Sequence, residues 1–114
     1  MEKVKNNIND LIIDGVKPEE LENLEELQNI YDYRQSFYKK AFVGEFFFAN
    51  GTRKAIYLKS YNTIVACIWQ NQLRIYGYFS QTTARHIREF GEQNGFDMRK
   101  VSAKDIKNTC VYSK

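Results

Sequence analysis

A stretch rich in aromatic and β-branched residues fills the middle third of the chain and excludes an all-helical fold. It reads FVGEFFFANGTRKAIYLKSYNTIVACIWQNQLRIYGYF and spans residues 42–79. Residues of these types favour strands, and Asn50-Gly51 between two such runs is the strongest short-range signal for a β-hairpin. We therefore predict four strands, joined in order as an antiparallel meander, at 42–49, 53–60, 62–69 and 72–79.

A predicted two-residue turn at Gln70-Asn71 sets the register of the last two strands. It places Ile68 opposite Leu73 and Ile64 opposite Gly77, on a face whose alternation is typical of a half-buried sheet. The opposite face carries aromatic and basic side chains, and it is either exposed for binding or covered by the N-terminal segment. Its residues are Tyr57, Lys59, Trp69, Arg74, Tyr76 and Tyr78.

Apolar residues at helical spacing flank the strands on both sides. In the N-terminal part they predict one helix over residues 2–13 and another from Pro18 to about Lys39. After the strands, a helix over 82–94 ends at Gly95, and the tail adds a short helix from Ser102 and an extended end at Cys110–Tyr112. The apolar face of the second helix consists of Leu21, Leu24, Leu27 and Tyr31.

These elements define an α+β fold with N-terminal helices, a four-stranded antiparallel β-meander, one packed helix and a short C-terminal element. A chain of 114 residues is long enough for one compact domain. Within it we distinguish an acidic helical segment, residues 1–40, from a basic body of sheet and helix, residues 41–114.

The charge of the chain is unevenly distributed. Residues 1–32 hold three lysines and nine acidic residues, whereas residues 33–114 hold 14 Lys and Arg and five acidic residues. Such a division indicates nucleic acid, or a protein that binds nucleic acid, as the partner of the basic body. The alternative is that the two parts pack together and neutralise each other.

The sequence lacks the residue patterns of the common enzyme classes, so we expect no enzymatic activity, no cofactor and no metal. A single His cannot build a His-rich metal site, and no glycine-rich phosphate loop is present. Ser80 is more typical of a helix N-cap than of a nucleophile beside His86. Cys67 and Cys110 match no metal or redox spacing, and no signal peptide is apparent, so we expect reduced thiols and a cytoplasmic protein.

The predicted helix at 82–94 begins with positive charge, which opposes its dipole. Thr82 and Thr83 with Arg85 and Arg88 form a candidate anion site, and we expect His86 to pack against the neighbouring strand. In the alternative, the arginines pair with glutamates four residues later on a solvated face. If the anion site is correct, replacing both arginines with Glu leaves folding intact and abolishes binding.

Two sets of residues are candidates for binding macromolecules. A protein partner would be bound by the acidic helix, whose carboxylates imitate a row of phosphates, and by the arginine corner. Direct nucleic-acid binding would combine ring stacking with phosphate contacts. The first set is Glu19, Glu22, Glu25, Glu26, Arg85 and Arg88, and the second is Lys59, Arg74, Tyr76, Tyr78, Thr83, Arg85 and Arg88.

Two motifs carry a resemblance to a known family. Ser-Tyr-Asn-Thr with Val-Ala falls on Ser60–Thr63, Val65 and Ala66, and Ser-x-Thr-Thr-x-Arg-His falls on 80–86 before the helix. Over about residues 56–96 the chain resembles small uncharacterised proteins from phages and mobile elements of Gram-positive bacteria, although Phe79 stands where the family has Tyr. The family implies no established activity.

The resemblance, together with the charge pattern, leads to our functional expectation. Small phage proteins without catalytic residues often disable a host machine, and the association extends to anti-CRISPR-like inhibitors. We expect a non-enzymatic accessory protein that binds and inhibits a nucleic-acid-handling host protein such as a defence nuclease. The alternative is an accessory protein that binds DNA or RNA directly. A homodimer stays open if the aromatic sheet face is uncovered.

Overall fold

The protein is built on one seven-stranded antiparallel sheet, seen in a computed structural model that describes residues 1–4, 10–34, 37–48, 51, 53–77 and 80–114. The strand order is β1-β7-β6-β5-β4-β3-β2. Two α-helices and two single-turn 3-10 helices, Pro18–Glu20 and Met98–Lys100, complete these elements. The strands are β1 (Glu2–Val4), β2 (Glu22–Glu26), β3 (Ala41–Phe48), β4 (Arg53–Ser60), β5 (Thr63–Trp69), β6 (Gln72–Ile75) and β7 (Cys110–Ser113), and the helices are α1 (Gln81–Gln93) and α2 (Ala103–Lys107).

The α+β fold predicted from the sequence, with N-terminal helices and a four-stranded meander, is wrong as a whole. The four predicted strands coincide closely with β3–β6, but three further strands extend the sheet on both sides. Residues 2–4 pair with β7, and residues 22–26 pair with β3. The described parts of the two predicted N-terminal helices contain turns, among them the 3-10 turn Pro18–Glu20, but no α-helix, and the predicted positions 5–9, 35–36, 49–50 and 78–79 lie outside the described residues.

The helix predicted from Pro18 to about Lys39 is wrong because its apolar residues do not pack on one common surface. Leu21 packs on one side of the sheet, whereas Leu27 belongs to the core on the other side. Leu24 and Tyr31 are exposed. The local start signal at Pro18 is real, since Glu20 accepts a hydrogen bond from the Lys17 N–H at 2.9 Å. The helix stops after one turn because the following residues gain a strand partner in β3.

The predicted hairpin at Gln70-Asn71 is confirmed. Both residues have positive φ, 50° and 60°, as a tight two-residue turn of the primed type requires. Ile68 faces Leu73 as predicted. A register shift between β4 and β5 turns Ile64 away from this face, and Ile64 packs in the cluster on the other side.

The main core lies between one face of the sheet and α1. Ile87 and Phe90 of α1 are fully buried there against Leu58, Leu73 and other residues of the central strands. The helix predicted over 82–94 is confirmed as α1, with each boundary one residue earlier. Ser80 accepts a hydrogen bond from the Thr83 N–H, and Gly95, with φ 85°, follows the helix in the left-handed conformation.

The second face of the sheet is covered by the chain between residues 10 and 21, not by a helix. Ile13 is buried against Tyr57, whose hydroxyl donates to the Ile13 carbonyl oxygen at 2.7 Å. Asp14 forms an ion pair with Arg74 and accepts a hydrogen bond from the Tyr76 hydroxyl at 2.7 Å. The expectation that this face is partly covered is therefore confirmed, with a different covering element.

Candidate functional site

A groove of about 880 Å³ lies where three segments meet, and it contains the arginine corner that the sequence singled out. The segment 31–34 lines one part, charged residues of α1 between 85 and 92 a second, and residues 95–99 a third. Arg85 and Arg88 of α1 line the groove, and so do Tyr31 and Tyr33, which are exposed to solvent.

Segment 31–34 is held against α1 by backbone contacts to a buried carboxylate. Glu89 is 2% exposed, and its Oε1 accepts hydrogen bonds from the N–H groups of Tyr31 at 2.8 Å and Asp32 at 2.9 Å. Gln93, one turn further along α1, donates to Glu89 Oε2 at 2.8 Å and to the Gln28 carbonyl oxygen at 2.6 Å. These contacts satisfy a buried charge and fix the position of the segment.

Arg85 is part of the same attachment. Its Nε lies 2.6 Å from Asp32 Oδ2 and its Nη2 lies 2.9 Å from Asp32 Oδ1, which is a two-point ion pair. Arg34 also donates to Asp32, but its side chain is 73% exposed. The hydrogen bonds from Arg85 and Arg34 hold the pKa of the Asp32 carboxyl well below its usual range.

Arg88 joins α1 to the segment that follows it. Its Nη1 donates to the carbonyl oxygens of Met98 at 2.7 Å and Val101 at 3.2 Å. Glu92 accepts a hydrogen bond from the Met98 N–H at 3.0 Å. The positive charges of Arg85 and Arg88 are therefore matched by acceptors inside the protein. These contacts explain why the first turns of α1 carry positive charge although the helix dipole disfavours it there.

The groove carries equal numbers of opposite charges. Four arginines face four carboxylates, so the formal charges cancel, and Arg99 pairs with Asp97 at 3.0 Å in the same way that Arg34 pairs with Asp32. A groove of this composition has no strong preference for an anion. Its charged residues are Arg34, Arg85, Arg88, Arg99, Asp32, Glu89, Glu92 and Asp97.

The two halves of the Ser-Tyr-Asn-Thr and Ser-x-Thr-Thr-x-Arg-His pattern meet in a hydrogen-bonded network in which Ser60, Thr83 and His86 are buried. Ser60 Oγ lies 2.8 Å from His86 Nδ1 and 3.1 Å from Thr83 Oγ1, and Ser80 Oγ lies 3.2 Å from Thr83 Oγ1. His86 is fully buried and packs edge-on against the Phe37 ring. The expected packing role of His86 against a neighbouring strand is confirmed.

Burial, together with the smaller effects of the nearby charges of Arg85 and Lys40, lowers the pKa of His86 to about 4, against the opposing effect of Asp32. The imidazole is therefore neutral near pH 7. Ser60, the hydroxyl closest to it, is itself buried. Cys67 and Cys110 are buried free thiols, as expected, and burial raises the pKa of Cys110 to about 11.

The residues predicted for direct nucleic-acid binding are not brought together on one surface. Arg74 and Tyr76 are engaged with Asp14 under the N-terminal segment, and Thr83 is buried in the Ser60 network. Lys59 Nζ lies 5.2 Å from the centre of the Phe42 ring. Tyr78 lies outside the described residues.

The acidic residues predicted for partner binding are mostly exposed, but they do not lie on a long helix. Glu19 is in the 3-10 turn, and Glu22, Glu25 and Glu26 are on β2, the edge strand of the sheet. Their side chains therefore follow the geometry of an edge strand, with a register shift between Glu22 and Glu25. Acidic side chains at such an edge also oppose pairing with another sheet.

Sequence reasoning missed three residues that build the wall of the groove: Tyr33, Arg34 and Arg99. Tyr31 was assigned to the buried face of a helix. The motif Tyr-Asp-Tyr-Arg at 31–34 was a usable signal, because it places aromatic and charged residues together in the way typical of binding surfaces.

The fold and groove together define a small antiparallel-sheet protein with a charge-balanced groove. The chain belongs to a family of unknown function, DUF8033, whose model matches residues 25–108. That range includes β3–β6, both helices and every residue of the groove. No curated protein and no solved structure matches the chain.

Two further features bear on what the protein can bind. Across the described residues, no group of three or more His, Cys, Asp or Glu side chains is placed to hold a metal ion. Within the same ranges, no helix combines the length and the apolar character that crossing a bilayer requires.

Proposed function

We infer that this protein is a non-enzymatic accessory protein of a phage or mobile element. It binds a host protein that handles nucleic acid, such as a defence nuclease, and inhibits that protein by occupying its surface. The resemblance of residues 56–96 to small phage proteins supports the setting, and the host cytoplasm is the compartment that goes with it.

The observation that carries the proposal is the composition of the groove. Its arginines are already matched by carboxylates and carbonyl oxygens, while Tyr31 and Tyr33 at its edge are 58% and 86% exposed. Tyrosine and arginine are the residues most enriched among the energetically dominant contacts of protein interfaces. A rigid, charge-balanced groove with exposed tyrosines favours a protein partner over a small anion.

The exposed acidic strand supplies the second part of the interface. Glu22 and Glu25 are exposed on an edge strand at one end of the sheet. A row of carboxylates is complementary to a groove that normally receives a phosphate backbone, and such charges accelerate and orient association. This is why we propose a nucleic-acid-handling protein as the partner class.

The test compares wild type with two surface variants in pull-downs from a Gram-positive host lysate, analysed by mass spectrometry. One variant carries Tyr31→Ala and Tyr33→Ala, and the other carries Glu22→Lys and Glu25→Lys. Each protein captured by the wild type is purified, and its nuclease or nucleic-acid-binding activity is measured with increasing amounts of this protein. We expect capture and inhibition by the wild type, and loss of both in the two variants.

Two controls separate the proposed interface from general surface effects. Leu11→Ala with Ile12→Ala removes exposed apolar side chains elsewhere, and Glu2→Lys reverses an exposed charge on β1, the opposite edge strand. Both controls should behave as wild type. The proposal is wrong if no nucleic-acid-handling protein is retained, or if retention is the same in all variants.

A further inference from the structure

We propose that a second surface, formed by Tyr38, Lys39, Lys40 and Tyr61, binds single-stranded nucleic acid. Unpaired bases stack on the two tyrosine rings, and the two lysines contact the phosphates. We call these four residues the tyrosine–lysine surface. It goes beyond the proposed function, because it needs no protein partner and uses none of the residues assigned to the groove.

The four residues come from two turns that lie side by side. Residues 38–40 form the turn before β3, closed by a hydrogen bond of 2.9 Å from the Lys40 N–H to the Phe37 carbonyl oxygen. Tyr61 begins the turn between β4 and β5, and its N–H donates to the Lys40 carbonyl oxygen at 2.7 Å. Tyr38 and Tyr61 are 63% and 49% exposed.

Both turns hold a bulky residue in an unfavourable backbone conformation. Lys39 has φ 60° and Tyr61 has φ 56°, which is the left-handed region that residues with a large side chain rarely adopt. Such conformations persist only where the surrounding structure enforces them, and they concentrate at binding sites. Here the turn at Lys39 presents a ring and cations, and the turn at Tyr61 presents the second ring.

The support beneath the surface is closely packed and hydrogen-bonded. Phe37 is buried and packs edge-on against His86, with ring centres 4.6 Å apart. Ser60, immediately before Tyr61, is held by His86 and Thr83. The motif residues therefore fix both turns from inside the protein, and the exposed rings are preorganised for stacking.

The charge around the surface is complementary to a polyanion. No acidic residue occurs in the sequence between Asp32 and Glu45, the stretch that supplies the first turn, or between Glu45 and Glu89, the stretch that supplies the second. Lys39 Nζ lies 5.3 Å from the centre of the Tyr38 ring, so cation and ring are presented together. Stacking on a ring needs a base that is free of its partner, which favours single strands over duplexes.

The test is fluorescence anisotropy with labelled oligo(dT), oligo(U) and a duplex of the same length, at two salt concentrations. We expect the wild type to prefer the single strands and to lose affinity as salt increases. Tyr38→Ala should weaken binding by about tenfold, since each stacked base contributes strongly to affinity. Tyr38→Phe and Tyr61→Phe should retain most of the affinity, because the ring is kept.

Matched lysine variants test the phosphate contacts. Lys39→Ala with Lys40→Ala should reduce the slope of log affinity against log salt by about 1.4, since each contact to a single strand contributes about 0.7. Lys104→Ala with Lys107→Ala, two exposed lysines on α2, should leave the slope nearly unchanged. Because no protein partner is present, the result is independent of the proposed inhibition.

The proposal is overturned by any of three results. The first is no binding to single strands at protein concentrations below about 10 μM, which is already the range of non-specific association. The second is equal or tighter binding of the duplex. The third is unchanged affinity in Tyr38→Ala, a substitution at an exposed position that leaves the buried network in place.

Discussion

Asp32 is the residue on which the geometry of the groove depends most directly. It joins segment 31–34 to α1 through Arg85, while Glu89 holds the backbone on either side of the Tyr31–Asp32 peptide. The sequence suggested that Arg85 was free to bind an anion and dispensable for folding. The structure shows a mostly buried ion pair instead, with side-chain exposures of 13% for Arg85 and 14% for Asp32.

We predict that Arg85→Ala lowers the free energy of unfolding by about 2 kcal/mol, because it removes one partner of a mostly buried pair. Arg34→Ala, which removes the exposed partner of the same carboxylate, should cost no more than about 0.5 kcal/mol. Urea unfolding of both variants measures the difference. Equal stabilities would contradict the view that Arg85 attaches the segment to α1.

His86 makes the protein sensitive to mild acid. Its folded-state pKa is about 4 against an ordinary value of 6.5, so the folded protein binds fewer protons than the unfolded chain between these pH values. The free energy of unfolding should therefore fall as pH decreases from 6.5 to 4, by about 3 kcal/mol in total. Ion pairs also keep the pKa of carboxyls such as Asp32 low. The stability that these carboxyls contribute is lost mainly at pH values below this window.

Urea unfolding at a series of pH values measures this dependence. His86→Asn lacks the imidazole, so its stability should fall much less than that of the wild type between pH 6.5 and 4, with the remaining loss coming from paired carboxylates such as Glu45 near the acid end of the range. If the wild type and this variant show the same slope, protonation of His86 is not the cause.

At the scale of elements, each local signal was correct only where no partner strand competed with it. The caps of α1, the turn at Gln70-Asn71 and the single turn at Pro18 follow from neighbouring residues and are all present. The assignment of 22–39 to a helix failed because β2 obtains its hydrogen bonds from β3. Local propensity is small beside the pairing and burial that a strand gains in a sheet.

The contact between α1 and the turn at 98–100 provides a test at this scale. Gly91 lies in the helix, where Ala is normally favoured by about 1 kcal/mol, but an added Cβ would lie 2.3 Å from the Met98 sulfur. We predict that Gly91→Ala destabilises the protein by about 1–2 kcal/mol, because the buried Met98 must move.

A double-mutant cycle separates the clash from helix propensity. In a Met98→Ala background the clash is removed, and Gly91→Ala should become neutral or stabilising in urea unfolding. The same cost in both backgrounds would show that the glycine is needed for another reason.

At the scale of the whole molecule, the N-terminal segment closes the second face of the sheet. Ile13 packs over Tyr57, and Asp14 binds Arg74 and Tyr76. Burial raises the pKa of Asp14, but the hydrogen bonds from Arg74 and Tyr76 lower it by more, so the carboxyl stays ionised near neutral pH. The aromatic and basic face that seemed available for nucleic acid is in this way used for folding.

We predict that Asp14→Ala costs about 3 kcal/mol in the free energy of unfolding, since it leaves the buried Arg74 guanidinium without its carboxylate. Arg99→Ala removes the partner of Asp97 at the rim of the groove, where the Arg99 side chain is 88% exposed. It should cost at most about 0.5 kcal/mol. A small effect of Asp14→Ala would show that the segment is held mainly by Ile13.

The candidate site was predictable only in part. Charge and spacing pointed to Arg85 and Arg88, and both line the groove. Their partners were not predictable, because Asp32 lies 53 residues from Arg85 in sequence and the carbonyl oxygens that Arg88 contacts have no signature in side-chain composition. Tyr33 and Arg34 were missed because the segment containing them was assigned to a helix.

The sequence by itself determined the four central strands, the turn between β5 and β6, the capped helix α1 and the short C-terminal elements. These follow from alternation, turn residues and caps, which act between near neighbours along the chain. Only the tertiary structure decided that residues 2–4 and 22–26 are edge strands, that Arg74 is buried under Asp14, and that Arg85 forms an ion pair with Asp32. The reason is physical: strand pairing, burial and ion pairing between residues distant in sequence depend on which segments the fold brings together in space.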